Sequence, residues 1–288
     1  MQEIMFSVAV ITYNQEKYIS QTLDSILNQE HDYKYEIVIG EDCSTDNTKK
    51  IIEEYVTKYP DIIKPLYNNP NKGLINNYFN VIAHCQGKYI MECAGDDYWL
   101  PGKVKLQIEF MENSPEVGMC YTKAKFWNEN KQNYEKKLFG SDIESFEKLL
   151  TTGNKIPALA VCLRKNLAEQ YVNEIKPQEK NWLMEDYPMW LWFSHECKVK
   201  FFDEVTAVYR VLENSASHSV DVEKQFRFEK SNREIRQFYA NKYNVKVVGT
   251  HDGYFTQEQT PQIVQEISQS GANILLVGIG MKKQEQFI

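Results

Sequence analysis

The chain has 288 residues, of which 42% are hydrophobic and 25% are charged, and its net charge is −7. This is the composition of an ordinary globular protein, and the length suffices for one large domain or two small ones. The acidic balance argues against nucleic acid as a partner, because phosphate backbones select basic surfaces. No apolar run approaches the roughly 18 residues of a membrane span, and the first residues lack the basic and apolar regions of a signal peptide.

The cysteines show no Cys-x-x-Cys spacing, and several of them lie inside apolar runs: Cys43, Cys85, Cys93, Cys120, Cys162 and Cys197. Buried free thiols in a reducing compartment fit this pattern better than disulfides or zinc ligands. The sequence therefore predicts a cytoplasmic protein, with peripheral contact at the inner face of the membrane as an alternative. The oligomeric state stays open.

The first hundred residues alternate between apolar strands and amphipathic helices. Strands are predicted at 6–11, 35–40, 63–67 and 89–94. The first helix places Ile19, Leu23 and Ile26 on one face, and similar helices are predicted around 51–59 and 78–82. Such alternation indicates right-handed βαβ crossovers and a mainly parallel, Rossmann-like α/β sheet flanked by helices.

The rest of the chain is less regular. Its predicted elements are a helix from Pro101 to about 112, strands at 117–122 and 156–163, two short strands within 198–210, and a helix at 221–243. A short β-α-β unit follows, with strands at 245–253 and 273–278 around a helix at 261–270. We therefore expect three parts: a main domain (1–220), a connecting helix (221–244) and a C-terminal module (245–288).

Polar clusters follow three of the predicted strands, namely Thr12, Tyr13 and Asn14, then Glu41 and Asp42, then Asp96 and Asp97. The carboxyl ends of parallel strands meet at one crevice, which is where open α/β sheets bind ligands. Adjacent carboxylates suit a hard divalent cation held together with substrate phosphates. The alternative for the Asp pair is a turn that caps the next helix. No glycine-rich dinucleotide or phosphate-loop motif follows the first strand.

Four segments together resemble family 2 glycosyltransferases of the GT-A fold: residues 8–14, 15–29, 36–46 and 87–97. The resemblance covers residues 5 to about 215. It implies transfer of a sugar from a nucleotide donor, usually a UDP-sugar, with inversion at the anomeric carbon. It also implies a glycan, lipid-linked or glycoprotein acceptor in the synthesis of bacterial surface polysaccharide or glycoconjugates.

The resemblance also implies roles for individual residues. Tyr13 matches the aromatic that stacks on the base, with Thr12 and Asn14 on the same turn, and Asp42 matches the carboxylate that binds the uracil ring, with Glu41 beside it. Asp96 faces the ribose and sugar, and Asp97 ligates Mn²⁺ or Mg²⁺, which neutralises the diphosphate leaving group. The family's usual Arg-Asn pair is replaced by Tyr78 and Phe79, which leaves one expected phosphate contact without a match.

Inversion also needs a base for the acceptor hydroxyl. Asp186 occupies the place of the family's base, with Glu185 as second choice, although both residues could simply open the helix at Pro188. His218 is a candidate metal ligand by the same resemblance, against the alternative of a solvated loop histidine. Arg210 is a candidate phosphate contact.

The tail, at 248–255 and 274–285, resembles the N-acetylmannosaminyltransferase family of teichoic-acid and enterobacterial-antigen synthesis. The part of that family with its catalytic residues has no match, so we expect a truncated module without activity. For the whole chain, one alternative function is a catalytically inactive nucleotide- or glycan-binding module. Another is a sugar-nucleotide pyrophosphorylase, which would need a glycine-rich loop after the first strand.

Overall fold

A computed structural model describes residues 3–212, 221–246, 256 and 258–272. The strands are β1 (Phe6–Thr12), β2 (Tyr35–Glu41), β3 (Ile63–Tyr67), β4 (Tyr89–Glu92), β5 (Tyr98–Trp99), β6 (Val117–Asn128), β7 (Asn133–Phe139), β8 (Val161–Arg164) and β9 (Lys198–Val211). The helices are α1 (Ile19–Leu27), α2 (Thr48–Lys58), α3 (Leu74–His84), α4 (Lys103–Asn113), α5 (Phe146–Thr152), α6 (Lys165–Ile175), α7 (Asp186–Glu196), α8 (Val222–Lys242) and α9 (Thr260–Gln269).

All these strands form one sheet in the order β3-β2-β1-β4-β8-β6-β9-β5, with β7 paired to β6. The pairs β3–β2, β2–β1, β1–β4 and β6–β9 are parallel. Strand β8 runs antiparallel to both β4 and β6, and β5 runs antiparallel to β9. The predicted α/β sheet is confirmed, and its parallel part is the N-terminal half; the C-terminal half is mixed.

Helices cover both faces of the sheet. Alternation along β1 sends Val8 and Val10 into a core shared with α1, α2 and α4, and it sends Ala9 into a second core on the opposite face. That second core contains residues of α3 and of α5 to α8. Ile235 and Tyr239 of α8 are fully buried in it, so α8 packs directly against the sheet domain.

The predicted strands in two regions are wrong in extent. The apolar run at 156–163 becomes a strand only at Val161, because the preceding carbonyls are used elsewhere: Leu159 O accepts a hydrogen bond from the Trp99 indole and Ala160 O accepts one from Gln107. The two short strands expected within 198–210 are one long strand, β9, whose pairing with β6 is interrupted by bulges. Helices α5 and α6 were not predicted.

The predicted C-terminal helix is present as α9. Residues 247–253 and 273–278, which carry most of the two strands expected around it, lie outside the described residues. No helix within the described ranges is long and apolar enough to cross a membrane.

Candidate functional site

The turn that carries Asp96 and Asp97 is held from three sides. The Gly95 amide donates to Ile11 O at 2.9 Å, which continues the β1–β4 pairing past the end of the strand. The Thr22 hydroxyl of α1 lies 2.6 Å from Asp97 O and 2.9 Å from Gly95 O. On the third side, the Arg210 amide of β9 donates to Asp97 Oδ1 at 2.7 Å. The two carboxylates therefore sit on a rigid turn.

Glycine is required at position 95 because the turn passes very close to the end of β1. A Cβ atom there would lie 2.4 Å from Gln15 Oε1 and 2.7 Å from Thr12 Oγ1. These two oxygens are also buried without a hydrogen-bond partner among the described residues. Unsatisfied polar atoms beside a carboxylate pair are typical of a site that binds a ligand.

Arg210 has a structural role that the sequence did not suggest. Its guanidinium is buried and donates to Glu129 Oε2 at 2.6 Å, to Asp96 O at 2.7 Å and to Gln21 Oε1. It also lies over the rings of Tyr18 and Tyr98. Through these contacts Arg210 holds the Asp96–Asp97 turn in place. Because its guanidinium is already engaged within the protein, the geometry of Arg210 does not support the expected phosphate contact.

Asp42 is buried at the end of β2 and holds the loop that precedes α3. Its carboxylate accepts hydrogen bonds from the backbone amides of Lys72 and Gly73 at 2.8 and 2.9 Å and from the Asn68 side chain at 2.9 Å. Tyr13, at the end of β1, is 48% exposed. Both residues line the same cavity as Asp96 and Asp97, as does Thr12.

Asn14 and Glu41 do not line this cavity; Asn14 is exposed and Glu41 is buried. Asn14 has a left-handed backbone (φ 54°), and its side-chain oxygen accepts a hydrogen bond from the Thr45 amide at 2.8 Å. The buried Glu41 carboxylate accepts one from the Ser44 amide at 2.6 Å. Asn14 thus joins the turn after β1 to the loop after β2, and Glu41 holds the start of that loop. His218 lies outside the described residues.

Glu185 and Asp186 stand at the first turn of α7, which begins at Asp186. Asp186 Oδ1 accepts a hydrogen bond from the Tyr187 amide at 2.6 Å, and Oδ2 accepts one from the Asn154 side chain at 2.7 Å. Burial raises the pKa of Asp186, and these two hydrogen bonds oppose the rise. Burial, and then the neighbouring charge of Asp186, raise the pKa of Glu185.

A third carboxyl group, Glu92, lies beneath this pair in β4. The Tyr78 hydroxyl donates to Glu92 Oε1 at 2.6 Å, and both residues are buried. Burial raises the pKa of Glu92 to about 8, and the charges of Glu185 and Asp186 act in the same direction. Tyr78, the departure from the family's Arg-Asn pair, therefore serves as a hydrogen-bond donor inside the protein.

One cavity of about 970 Å³ joins these groups. We call one side the strand wall (Thr12, Tyr13, Asp42, Asp96 and Asp97) and the other the helix wall (Asn154, Lys155, Leu183 to Tyr187, Phe228 and Asn232). Glu92 and Tyr78 lie between the two walls. Among the described lining residues there are six carboxyl groups but only two lysines, Lys137 and Lys155, so the cavity is strongly acidic.

The strand wall has the chemistry to bind Mn²⁺ or Mg²⁺. Burial, and then the charge of Asp96, raise the pKa of Asp97, so a cation would relieve the repulsion between these neighbours. In the part of the chain that the structure describes, no cluster of three or more His, Cys, Asp or Glu residues could hold a metal by itself. These two ions often take only one or two carboxylates plus substrate phosphates, and the Asp pair fits that pattern.

Sequence reasoning located the strand wall but missed several groups of the helix wall. Asn154 belongs to no motif, and Phe228 and Asn232 come from the helix expected to be a connector. Glu92 gave a signal that could have been used, because an acidic residue inside an apolar strand is rarely buried without a partner.

The fold is that of GT-A glycosyltransferases. The TarS protein of Staphylococcus aureus, solved with UDP-GlcNAc, superposes with a TM-score of 0.58 and is 19% identical, over 92% of this chain and 80% of that one. Mannosyltransferase PcManGT of Pyrobaculum calidifontis, in complex with GDP-Man and Mn²⁺, superposes with a TM-score of 0.54 at 13% identity, over 95% of this chain and 82% of that one. At such low identity the likeness shows the fold alone.

The model of glycosyl transferase family 2 matches residues 7–170, and the chain belongs to this family. The model of the glycosyl transferase WecG/TagA/CpsF family matches residues 226–288, so the second resemblance is also confirmed. That match begins inside α8, further towards the N-terminus than the sequence motifs indicated.

Three curated relatives illustrate the sequence similarity. An uncharacterized protein of Mycobacterium tuberculosis is 37% identical over 116 residues, 40% of this chain and 34% of the relative. An uncharacterized glycosyltransferase of Mycoplasma genitalium is 35% identical over 137 residues, 47% of this chain and 45% of the relative. TuaG of Bacillus subtilis, which is named as a teichuronic acid biosynthesis glycosyltransferase, is 35% identical over 107 residues, 37% of this chain and 42% of the relative. The matches thus span between a third and a half of these relatives.

Proposed function

We propose that the chain catalyses metal-dependent, inverting transfer of a sugar from a nucleotide donor, in the first place a UDP-sugar, to a hydroxyl group of a glycan, lipid-linked or protein-linked acceptor. The observation that carries this proposal is the single cavity in which Asp96 and Asp97 face Glu185 and Asp186. A cation-binding pair and a candidate base are the two sets of groups that this reaction needs.

The strand wall is proposed to bind the donor. Tyr13 offers an exposed ring for the base, and Asp42 offers a buried carboxylate to a ring N–H. Asp97 would hold the cation, and Asp96 would face the ribose and the sugar. When bound, Mn²⁺ or Mg²⁺ would neutralise the charge that builds on the diphosphate as it leaves.

The helix wall is proposed to activate the acceptor hydroxyl through Asp186. As the first residue of α7, Asp186 has its ionised form stabilised by the helix N-terminus. It also accepts hydrogen bonds from Tyr187 and Asn154. No such side-chain donor to Glu185 is present among the described residues, which favours Asp186 as the group that takes the proton.

A role in the synthesis of bacterial surface polysaccharide fits the name of one similar protein, and a UDP-sugar donor fits the ligands of another. TuaG is named for teichuronic acid biosynthesis, and TarS was solved with UDP-GlcNAc and with UDP. We propose the same class of pathway here, with a sugar-containing polymer or its lipid-linked precursor as acceptor.

Thermal-shift titration tests the donor half of the proposal. We expect UDP with Mn²⁺ to raise the melting temperature as the UDP concentration grows, because binding adds RT ln(1 + [L]/Kd) to the free energy of unfolding. EDTA should abolish that rise, and GDP, CDP and ADP serve as comparisons. The absence of a metal-dependent shift with any of the four nucleotides would contradict the proposal.

Asp186→Asn tests the base. We expect the variant to lose transfer by at least about 100-fold while it keeps metal-dependent UDP binding, since its side chain lies on the opposite wall. Turnover is followed as UDP release from UDP-GlcNAc, UDP-glucose and UDP-galactose with water as the acceptor, so that the base takes its proton from the attacking water. If Asp186→Asn loses UDP binding as well, Asp186 belongs to the donor site.

A further inference from the structure

The Asn154 side chain touches both the candidate base and its own loop. Its Nδ2 atom donates to Asp186 Oδ2 at 2.7 Å, and its Oδ1 atom accepts a hydrogen bond from the Ile156 amide at 3.0 Å. Because the Ile156 amide can only donate, the oxygen of the Asn154 amide must face Ile156 and its nitrogen must face Asp186. The orientation of this amide is therefore fixed by its surroundings.

Two helices hold the loop that carries Asn154. The loop leaves α5 at Gly153, whose backbone is left-handed (φ 86°) and whose added Cβ would lie 2.8 Å from the Arg236 guanidinium of α8. Arg236 also donates to Thr151 O, at the end of α5, at 3.4 Å. The Tyr187 hydroxyl of α7 donates to Leu149 O, one helical turn before Gly153, at 3.0 Å. Helices α7 and α8 thus cap the end of α5 and place Asn154 beside Asp186.

We propose that Asn154 is a positioning residue for the base: its amide turns the Asp186 carboxylate so that the free lone pair of Oδ2 faces the acceptor hydroxyl, and it keeps that carboxylate ionised. The proposal rests on the proposed role of Asp186. It adds a residue outside every sequence motif, and it makes α8 part of the catalytic domain.

The surroundings of Asp186 explain why such a donor is needed. The titratable groups that face it in the described structure are Glu92 of β4, Glu185 next to it, Tyr171 of α6 and Tyr187 of α7. All four are neutral or negative, and Arg236 lies beyond Tyr187. Burial disfavours the charged carboxylate, so the hydrogen bond from Asn154 is one of the few interactions that favour it.

Two substitutions separate the positioning role from support of the loop. Asn154→Ala removes both hydrogen bonds of the side chain. Asn154→Asp keeps an oxygen that can accept from Ile156 but replaces the donor to Asp186 with a second acceptor. Asn113→Ala is the matched control, because Asn113 is exposed on α4 and its side chain only donates to Glu109 O.

The first readout is the ionisation of Asp186, which needs no substrate. In protein labelled with 13C at the aspartate carboxyl carbon, the Asp186 signal is assigned by its loss in Asp186→Asn and titrated in each variant. Loss of one hydrogen bond to the charged form should raise the pKa of Asp186 by about 1 in Asn154→Ala. Asn154→Asp should raise it at least as much, and Asn113→Ala should leave it unchanged.

The second readout is the pH profile of kcat for UDP release from UDP-GlcNAc with Mn²⁺, in which water is the acceptor. The base must be ionised, so a higher pKa moves the acid limb of the profile to higher pH. We expect kcat at pH 7 to fall about ten- to hundred-fold in Asn154→Ala and further in Asn154→Asp. KM for UDP-GlcNAc should stay near the wild-type value.

The proposal is overturned if Asn154→Asp keeps the wild-type titration and acid limb, because Asn154 then only shapes its loop. It is also overturned if both variants lose activity equally at every pH and the acid limb of the kcat profile stays at the wild-type pH. If the wild type itself releases no UDP from UDP-GlcNAc, the proposed donor is wrong, but the carboxyl titration still decides whether Asn154 controls Asp186.

Discussion

The two walls of the cavity are built in different ways. On the strand wall, each carboxylate follows a parallel strand and is held mainly by backbone groups: Asp97 by the Arg210 amide, and Asp42 by the amides of Lys72 and Gly73. On the helix wall, Asp186 is held by one backbone amide and by one side chain, Asn154, from a loop 32 residues away in sequence.

This difference has a consequence for how each wall tolerates change. Backbone donors remain when a side chain is substituted, so the geometry of the strand wall depends on the sheet itself. The helix wall depends on single side chains, namely Asn154 of the loop after α5, Tyr187 of α7 and Arg236 of α8, and one substitution can move the base. We therefore expect metal and donor binding to respond mainly to changes in the strand-wall residues themselves, and the base to respond also to changes at more distant positions.

The largest expected effect is that of Asp97→Asn. The variant should lose the Mn²⁺-dependent stabilisation by UDP, and its turnover of UDP-GlcNAc should fall at least about 100-fold, because the cation loses its charged ligand. The fold should survive, since an Asn oxygen can still accept from the Arg210 amide. Without ligand, the variant should melt at the same or a higher temperature, because repulsion from Asp96 is removed.

Asp61→Asn, at an exposed position away from the cavity, is the matched control for that variant. Asp186→Asn provides the comparison between the walls, since it should keep the UDP response that Asp97→Asn loses. If Asp97→Asn and Asp186→Asn show the same loss of UDP binding, the division of the cavity into a donor side and a base side is wrong.

The sequence predicted the strand wall well because its signals are local. A buried strand that ends in Gly95, Asp96 and Asp97 combines pattern and chemistry within a few residues, and the order of three such strands identifies their common edge. The same locality explains why the ranges of β1 and β2, which are short apolar runs, were predicted to within one residue.

The helix wall was predicted only in part, because its members meet through tertiary packing. Asn154, Asp186 and Asn232 are widely separated in sequence, and only Asp186 has a motif beside it. The extent of β8 was missed for a related reason: the carbonyls of Leu159 and Ala160 are taken by Trp99 and Gln107, which no local pattern reveals. The role of Arg210 likewise depends on partners from α1, the turn after β6 and the Asp96–Asp97 turn.

Glu92→Gln tests the carboxyl group that lies between the two walls of the cavity. The pKa of Glu92 is raised to about 8 from its ordinary 4.5. Between pH 4.5 and pH 8, Glu92 therefore keeps its proton in the folded protein and loses it in the unfolded chain. The contribution of Glu92 to the free energy of unfolding is therefore fully present below about pH 4.5 and is lost as the pH rises through about 8.

Urea unfolding at pH 5, 6, 7 and 8 measures this effect. Between pH 5 and 8 the wild type should lose about 3 to 4 kcal/mol more than Glu92→Gln, because glutamine cannot ionise and can still accept from Tyr78. Glu54→Gln, at an exposed site of α2, should follow the wild type. Equal slopes for the wild type and Glu92→Gln would mean that Glu92 is ionised in the folded protein.

The smallest expected effect is that of Tyr13 on the strand wall. Its ring is half exposed, and the next residue, Asn14, is tied to Ser44 and Thr45, so the ring stands on a rigid turn. If the ring stacks on the base, Tyr13→Ala should weaken UDP binding about tenfold, and Tyr13→Phe should bind UDP like the wild type. Calorimetric titration of UDP with Mn²⁺ measures both variants. If Tyr13→Phe loses as much UDP affinity as Tyr13→Ala, the contribution belongs to the hydroxyl group. If the acid limb of the kcat profile shifts in Tyr13→Ala, the two walls are coupled.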